Sequence, residues 1–139
     1  MLLPDVNVWL ALAFDLHFHH NAAKSWYEGS GDRCAFCRFT QQGFLRLATN
    51  PAVFKEQAVS LERAWRVYDA ILSDPRVEFA EEPAGLDAYW RAYTKRRSYS
   101  PHVWSDAYLA AFARAASCEL VTFDRGLRQY KNLHCTVLS

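Results

Sequence analysis

Two short apolar runs, one near each end of the chain, are each followed by an aspartate. Asp5 follows Met1–Pro4, and Asp124 follows Leu120–Phe123. Short apolar runs that alternate with segments of helical spacing are typical of a parallel sheet with helices on its faces. The carboxyl ends of parallel strands lie along one edge of such a sheet, where ligands commonly bind. The sequence therefore predicts that Asp5 and Asp124 share one sheet edge.

A third aspartate, Asp106, stands near the start of the Ala-rich segment between them. A helix from Asp106 to about Ser117 would rise roughly 16 Å. A strand from about Glu119 to Asp124 would return a similar distance at roughly 3.3 Å per residue. Three carboxylates at one edge repel, by on the order of 4 kcal/mol for a pair about 4 Å apart at an effective dielectric near 20. The cluster therefore predicts a hard cation, Mg²⁺ or Mn²⁺, with oxygen ligands.

The rest of the chain alternates between helical and strand-like segments, without repeats or long linkers. The spacing predicts helices over 7–14, 22–28 and 61–72, and a helix capped by Thr40 that ends near Thr49. A further amphipathic helix is marked by Leu86, Tyr89, Trp90 and Tyr93 and is expected to end in Lys95-Arg96-Arg97. Further strands are predicted over 33–37, 77–80 and 134–138. The alternation predicts the α/β class.

Composition restricts the function classes. The net charge is +1, so any polyanion must be met by a local basic patch. No apolar run reaches 18 residues and the N-terminus lacks a basic segment before an apolar stretch, so we expect a soluble, cytoplasmic protein without membrane contact. Aromatic residues make up 15% of the chain. They either fill one core or also form a contact surface for a partner or a second copy.

Cysteines and histidines do not form a convincing transition-metal motif. The cysteines lack a second close pair, which favours buried, reduced, structural thiols at Cys34, Cys37, Cys118 and Cys135. His102 precedes Asp106 by four residues and is expected to be a surface or packing residue. The remaining histidines lack helical ligand spacing and are expected in a solvated loop: His17, His19 and His20.

Four segments in the same order resemble the motifs of the PIN-domain ribonucleases, specifically the VapC-type toxins of toxin–antitoxin pairs. They are Leu3-Pro4-Asp5-Val6-Asn7-Val8-Trp9-Leu10, the stretches 40–51 and 104–113, and Leu120-Val121-Thr122-Phe123-Asp124. The resemblance spans essentially the whole chain. It implies a single PIN-like domain over 1–139, with a three-layer α/β/α sandwich around a small, mainly parallel sheet.

The resemblance also implies a metal-dependent endoribonuclease. Acidic metal ligands would be Asp5, Asp106 and Asp124, with Asn7 and Thr122 as supporting polar groups. One or two divalent ions would activate water for attack on an RNA phosphodiester. The implied partners are an RNA substrate, transfer or ribosomal RNA by family, a cognate antitoxin and a second copy of the chain as a homodimer.

The second motif departs from the family pattern. A glutamate is common at or near the position of Gln41, whose amide oxygen can ligate a cation but carries no charge. The cluster then has a charge of about −3, which weakens a second metal site and leaves one or two ions open. The departure also motivates an alternative, a PIN scaffold that binds a protein or RNA without cleaving it.

Basic and aromatic residues are candidates for RNA contact. Arg46 follows Gln41 on the same predicted helix, and the basic run Lys95-Arg96-Arg97 either meets phosphate or is an ordinary solvated helix end. Trp104 and Tyr99 either stack on unpaired bases or pack in the core.

Overall fold

The structure is a computed structural model that describes residues 1–139. Its centre is a five-stranded sheet whose strand order is β3-β2-β1-β4-β5, and every neighbouring pair is parallel. The prediction of a mainly parallel sheet is confirmed. The strands are β1 (Leu2–Pro4), β2 (Cys34–Phe36), β3 (Val77–Phe79), β4 (Glu119–Thr122) and β5 (Cys135–Val137).

Seven helices connect and cover the strands. None of them has the length and apolarity needed to cross a membrane. The helices α1, α3 and α5 pack together on one face of the sheet, and α6 packs against α7 on the other, which gives an α/β/α sandwich. The bounds are α1 (Val6–Ala13), α2 (His20–Ser30), α3 (Arg38–Ala48), α4 (Pro51–Phe54), α5 (Leu61–Leu72), α6 (Leu86–Tyr93) and α7 (Val103–Ala115).

Two apolar cores lie on opposite faces of the sheet because successive strand residues point to opposite sides. Leu3 packs in the core under α6 and α7, whereas Leu2 packs in the core under α1, α3 and α5. In the second core the Trp9 ring stacks on Phe36 with centroids 4.0 Å apart. Burial on both sides fixes the register of β1 and therefore the place where the chain leaves the sheet.

Small residues bring two helices close to their neighbours at the site. The buried face of α7 is largely alanine. Strand β4 ends at Thr122, so Asp124 lies two residues beyond the strand. Helix α7 begins at Val103, about one turn before the predicted start, which places Asp106 in its first turn. In α3, Gly43 faces Val6 of α1: an added Cβ would lie 2.6 Å from Val6 Cγ2.

The predicted cap of α3 is wrong. The helix begins at Arg38 with Cys37 as its N-cap residue, and Thr40 lies inside the first turn. Thr40 Oγ1 instead accepts a hydrogen bond from the backbone N–H of Cys37 at 3.0 Å. This hydrogen bond gives the buried backbone N–H of Cys37 a partner at the start of the helix. Thr40 therefore stabilises the N-terminus of α3 although it is not the N-cap residue.

Two further predictions need correction. Helix α6 ends at Tyr93, so the basic run 95–97 lies in the following loop rather than at a helix end. Three cysteines are buried as expected, but Cys135 on the edge strand β5 is only half-buried. All four thiols are free.

His17 and His19 lie in the loop before α2, as predicted, but they are half-buried rather than solvated. The His19 ring stacks on Phe123, with centroids 4.2 Å apart and planes 16° from parallel. His20 begins α2, and its Nδ1 lies 2.7 Å from the carbonyl oxygen of Ala11. Burial and the neighbouring histidines lower the pKa of His17. Aromatic and backbone contacts thus hold the segment beside the strand end that leads to Asp124.

Candidate active site

Asp5 occupies the turn between β1 and α1. Its backbone N–H donates to the carbonyl of Val121 at 2.8 Å, which continues the pairing of β1 with β4. Its Oδ1 accepts a hydrogen bond from the backbone N–H of Val6 at 2.7 Å and caps α1. The carboxylate therefore lies at the carboxyl end of the central strand and at the positive end of a helix.

Thr122 joins Asp5 to the segment that carries Asp124. Its hydroxyl donates to Asp5 Oδ2 at 2.9 Å and accepts from the backbone N–H of Asp124 at 3.0 Å. Asp124 Oδ1 accepts from the N–H of Gly126 at 2.8 Å and caps a 3₁₀ turn over 125–129. Because the Thr122 side chain is fully buried, this bridge sets the relative position of the two strand ends.

Asp106 completes the acidic cluster from α7. Burial raises the pKa of its carboxyl, and the charges of Asp124 and Asp5 raise it further, while His102 acts in the opposite direction. Burial also raises the pKa of Asp5, with an added contribution from Asp124 against the opposing hydrogen bonds. These shifts identify one electrostatically coupled group of three carboxylates at the sheet edge.

The donor set fits a hard cation in its chemistry. Every donor is an oxygen, and both Asp5 oxygens keep a lone pair beyond the hydrogen bond that each accepts. A cation would relieve the repulsion among the aspartates, which adds to the effect of burial on the pKa values of Asp5 and Asp106. No three His, Cys, Asp or Glu side chains lie close enough to hold one ion in this conformation. Ligation by all three aspartates therefore requires side-chain movement at the edge.

Two other predicted residues lie near this edge without a hydrogen bond to the aspartates. Asn7 is exposed in the first turn of α1. Gln41 is buried, and its Oε1 accepts a hydrogen bond from the Arg38 guanidinium. Burial raises the pKa of Tyr68, and hydrogen bonding to Gln41 acts in the opposite direction. The Gln41 side chain is thus held by Arg38 rather than by the aspartates.

The structure brings part of the basic set to the site. Arg96 Nη1 donates to Gln129 Oε1 at 2.8 Å, and Gln129 belongs to the turn that Asp124 caps. Lys95 and Arg97 are exposed in the same loop, and Arg46 is exposed in the last turn of α3. Of these four, Arg96 has the clearest structural link to the carboxylates.

Tyr130 is a site neighbour that the sequence alone did not indicate. Burial raises its pKa, Asp106 and Asp124 raise it further, and Arg96 lowers it. Its ring lies 5.0 Å from that of Tyr93. The available signal was its position six residues after Asp124, which becomes informative only once the 3₁₀ turn is known.

Comparisons with known proteins identify the family of this chain. The sequence profile of the PIN domain matches residues 2–133. Ribonuclease VapC41 of Mycobacterium tuberculosis is 44% identical over 145 aligned positions, which cover 100% of this chain and 99% of that protein. Ribonuclease VapC38 of the same species is 33% identical over 91% of this chain and 87% of that protein.

Solved structures show the same fold at low identity. VapBC2 from Rickettsia felis, crystallised with a DNA fragment from its promoter, contains a chain with a TM-score of 0.72 and 15% identity, covering 99% of this chain and 98% of that one. Mycobacterium tuberculosis VapC20, a Sarcin-Ricin loop cleaving toxin, gives a TM-score of 0.65 and 17% identity over 94% and 95%. With the profile match and the full-length relatives, the conclusion is that this chain belongs to the PIN-domain family.

Proposed function

We propose that this chain is a divalent-metal-dependent endoribonuclease, the toxin of a toxin–antitoxin pair, acting in the cytoplasm as one PIN domain over 1–139. Full-length relatives that carry the name ribonuclease support the activity. The observation that carries the proposal is the bridge from Thr122 to Asp5 and Asp124, with Asp106 electrostatically coupled to both. This arrangement concentrates negative charge at one sheet edge.

In the proposed site, Asp5, Asp106 and Asp124 hold Mg²⁺ or Mn²⁺. When bound, the ion activates water and neutralises charge that develops on the phosphate. The Thr122 hydroxyl keeps Asp5 in a fixed orientation. Asn7 is an exposed polar group beside Asp5 that is free to contact a ligand of the ion or the RNA backbone.

Gln41 is proposed as a further member of the catalytic group. It supplies an amide oxygen where a carboxylate is common, so the charge of the ligand set is about −3. We infer that the first ion binds more tightly than any second one because the fourth charge is missing.

RNA contact is proposed for the exposed cations Arg46, Lys95, Arg96 and Arg97. Guanidinium and ammonium groups bind phosphate without reading sequence, so these residues would position the strand. Arg96 lies over the turn after Asp124 and is the member best placed to meet a phosphate near the carboxylates. The substrate class proposed from the family is transfer or ribosomal RNA.

Two protein partners are proposed, a cognate antitoxin and a second copy of the chain. VapBC2 bound to a DNA fragment from their promoter has the same fold, and we infer from this likeness that an antitoxin binds this chain. Helix α5 supports an apolar contact because Leu61 is 72% exposed and Trp65 is 49% exposed on its surface. Large exposed apolar side chains on one helix are typical of an interface.

The test is cleavage of total RNA with Mn²⁺ by the wild type and by Asp5→Ala. Asp87→Ala, at an exposed acid on α6, is the matched control. We expect metal-dependent cleavage by the wild type and the control, abolished by EDTA and lost in Asp5→Ala. Equal background from all three proteins would support a scaffold that does not cleave. Circular dichroism of Asp5→Ala checks that losing a helix cap, worth about 1 kcal/mol, has not unfolded it.

A further inference from the structure

A cavity of about 500 Å³ opens between the starts of α3 and α7, the end of β3 and helix α6. Six of its twelve lining residues are aromatic, and we call it the aromatic pocket, defined by Phe39, Phe79, Trp90, Trp104, Tyr108 and Phe112. A cavity of this volume that combines aromatic rings with polar groups is typical of small-ligand sites.

The walls of the aromatic pocket are held in place by their own contacts. Trp90 Nε1 donates to the backbone carbonyl of Trp104 at 3.1 Å. The Trp90 ring meets both Trp104 and Tyr108 edge to face, with centroids 6.2 and 5.3 Å away. Trp104 is nevertheless 61% exposed. The pocket therefore offers a positioned indole surface that no part of this chain covers.

Polar groups at the rim have a fixed arrangement. The Tyr108 hydroxyl donates to Glu82 Oε1 at 2.8 Å, while Glu82 itself is exposed. Burial and this hydrogen bond raise the pKa of Tyr108, so its hydroxyl keeps the proton that it donates. The Arg38 guanidinium lies 4.8 Å from the centre of the Phe79 ring. The rim thus presents an oriented carboxylate and an exposed cation.

The aromatic pocket adjoins the acidic cluster. Ser105 lines the pocket, and the next residue of α7 is Asp106. Both residues belong to the first turn of α7, so the pocket and the acidic cluster lie on different faces of the same helix turn. An RNA strand that passes across this turn would meet both.

We propose that the aromatic pocket binds one unstacked base of the RNA strand, beside the phosphate that faces the acidic cluster. The inference rests on the proposed nuclease function and adds a substrate requirement to it, a single-stranded or flipped-out nucleotide. Bases of any sequence stack on aromatic rings. Arg38 at the rim meets the attached phosphate, and Glu82 accepts a hydrogen bond from an N–H on the edge of the base.

A base fits this pocket better than an apolar side chain of a protein partner. Either would cover the aromatic rings, but an apolar side chain would give no hydrogen-bond donor to the Glu82 oxygen that Tyr108 does not bind. Covering a charged oxygen without a donor is costly. A base that carries an amino or imino N–H pairs with the carboxylate as it enters. The rim therefore favours a nucleotide, with preference among bases set by their donors.

The test is an NMR titration of the ¹⁵N-labelled protein in EDTA with each of the four nucleoside 5′-monophosphates. Wild type should bind at least one of them, with shifts of the Trp90 indole N–H, which lies in the pocket, and none of the Trp65 indole, which lies outside it. Trp104→Ala should weaken this binding about tenfold or more, since loss of a stacking partner costs that much. Trp104→Phe keeps an aromatic face and should retain most of the affinity.

Controls separate the pocket from the acidic cluster. Trp65→Ala, an exposed indole on α5, should bind nucleotides as the wild type does. Glu82→Gln should change the ranking of the four nucleotides, because an amide both donates and accepts. In cleavage assays Trp104→Ala should raise KM more than it lowers kcat.

Each result decides the inference. No nucleotide binding by the folded wild type, or equal weakening by Trp104→Ala and Trp65→Ala, overturns it. The inference is also overturned if the nucleotides do not bind while an antitoxin peptide binds to the wild type and not to Trp104→Ala, since the occupant of the pocket is then a protein. Nucleotide binding in the pocket without RNA cleavage would contradict the nuclease proposal alone. RNA cleavage without nucleotide binding in the pocket would contradict the proposed base site alone.

Discussion

The hydroxyl of Thr122 donates a hydrogen bond to Asp5 Oδ2 at 2.9 Å, although the two residues are 117 positions apart in the chain. The same hydroxyl accepts from the backbone N–H of Asp124. One buried oxygen thus links the end of β1 to the end of β4. The position of Asp5 relative to Asp124 therefore depends on this oxygen.

Replacing Thr122 with valine tests this link. Thr122→Val keeps the shape but leaves the Asp124 N–H and an Asp5 oxygen without their partner, so we expect about 1–3 kcal/mol lower stability in urea unfolding. Loss of a group that orients a ligand should also weaken Mn²⁺ binding by about 10- to 100-fold in calorimetry. Thr122→Ser retains the hydroxyl and should remain close to the wild type. Equal behaviour of the valine and serine variants would show that the bridge does not position Asp5.

The raised pKa of Asp106 predicts that the stability of the metal-free protein depends on pH. In the folded protein the Asp106 carboxyl keeps its proton at pH values above its ordinary pKa of 3.8. In that pH range the folded state therefore binds more protons than the unfolded state. Metal-free stability therefore falls as the pH rises from that value through the raised pKa. Asp106→Asn should remove this part of the loss and be more stable than the wild type at pH 7 in EDTA.

Thermal unfolding in EDTA from pH 4 to 8 provides the measurement for Asp106→Asn. The difference in Tm between the variant and the wild type should grow with pH, and added Mn²⁺ should reverse it by stabilising only the wild type. A difference that stays constant with pH would contradict a raised pKa of Asp106 in the folded protein.

The close approach of α3 to α1 predicts a steric effect at Gly43. Gly43→Ala would place a Cβ 2.6 Å from Val6 Cγ2. Val6 is the residue whose backbone N–H donates to Asp5 Oδ1. We expect about 1–3 kcal/mol of destabilisation from overpacking, measured by urea unfolding. Gly29→Ala in α2 meets no atom within 4 Å and should be neutral or stabilising. Adding Val6→Ala should restore part of the loss; without such recovery, this contact is not the cause.

Gln41→Glu tests the proposed role of Gln41 in metal binding. An added carboxylate changes the ligand charge from about −3 to −4, so Mn²⁺ should bind more tightly by calorimetry. Because Arg38 already contacts the amide oxygen, the double variant Arg38→Gln with Gln41→Glu should show the larger gain. Unchanged or weaker binding in both would place Gln41 outside the metal site.

The strand ends were predictable because their pattern is local. An apolar run followed by an aspartate marks both β1 and β4, and burial on both faces of the sheet leaves the chain little choice of register. The helix boundaries are less predictable. Threonine is a favoured N-cap residue and cysteine is an uncommon one, so the sequence predicts a start of α3 at Thr40 that is later than the observed start. Thr40 nevertheless stabilises that end of the helix.

Contacts between distant segments could not be predicted in the same way. The stacking of His19 on Phe123 holds the histidine segment near Asp124, and nothing in the histidine spacing indicates a ring partner a hundred residues away. Tyr130 and the aromatic pocket likewise depend on how α6 and α7 pack. The sequence allows Trp104 to be either a base-stacking or a core residue, and only its exposure in the fold distinguishes the two.

Binding of Mn²⁺ by the metal-free protein tests the central claim most directly, since it requires no knowledge of the RNA. Calorimetric titration should compare the wild type with Asp124→Asn and with Asp87→Asn, an exposed acid on α6. The acidic cluster predicts binding by the wild type and by Asp87→Asn, weakened at least about tenfold in Asp124→Asn. Equal affinity in all three proteins, or no binding by the wild type, would contradict a metal site at this sheet edge.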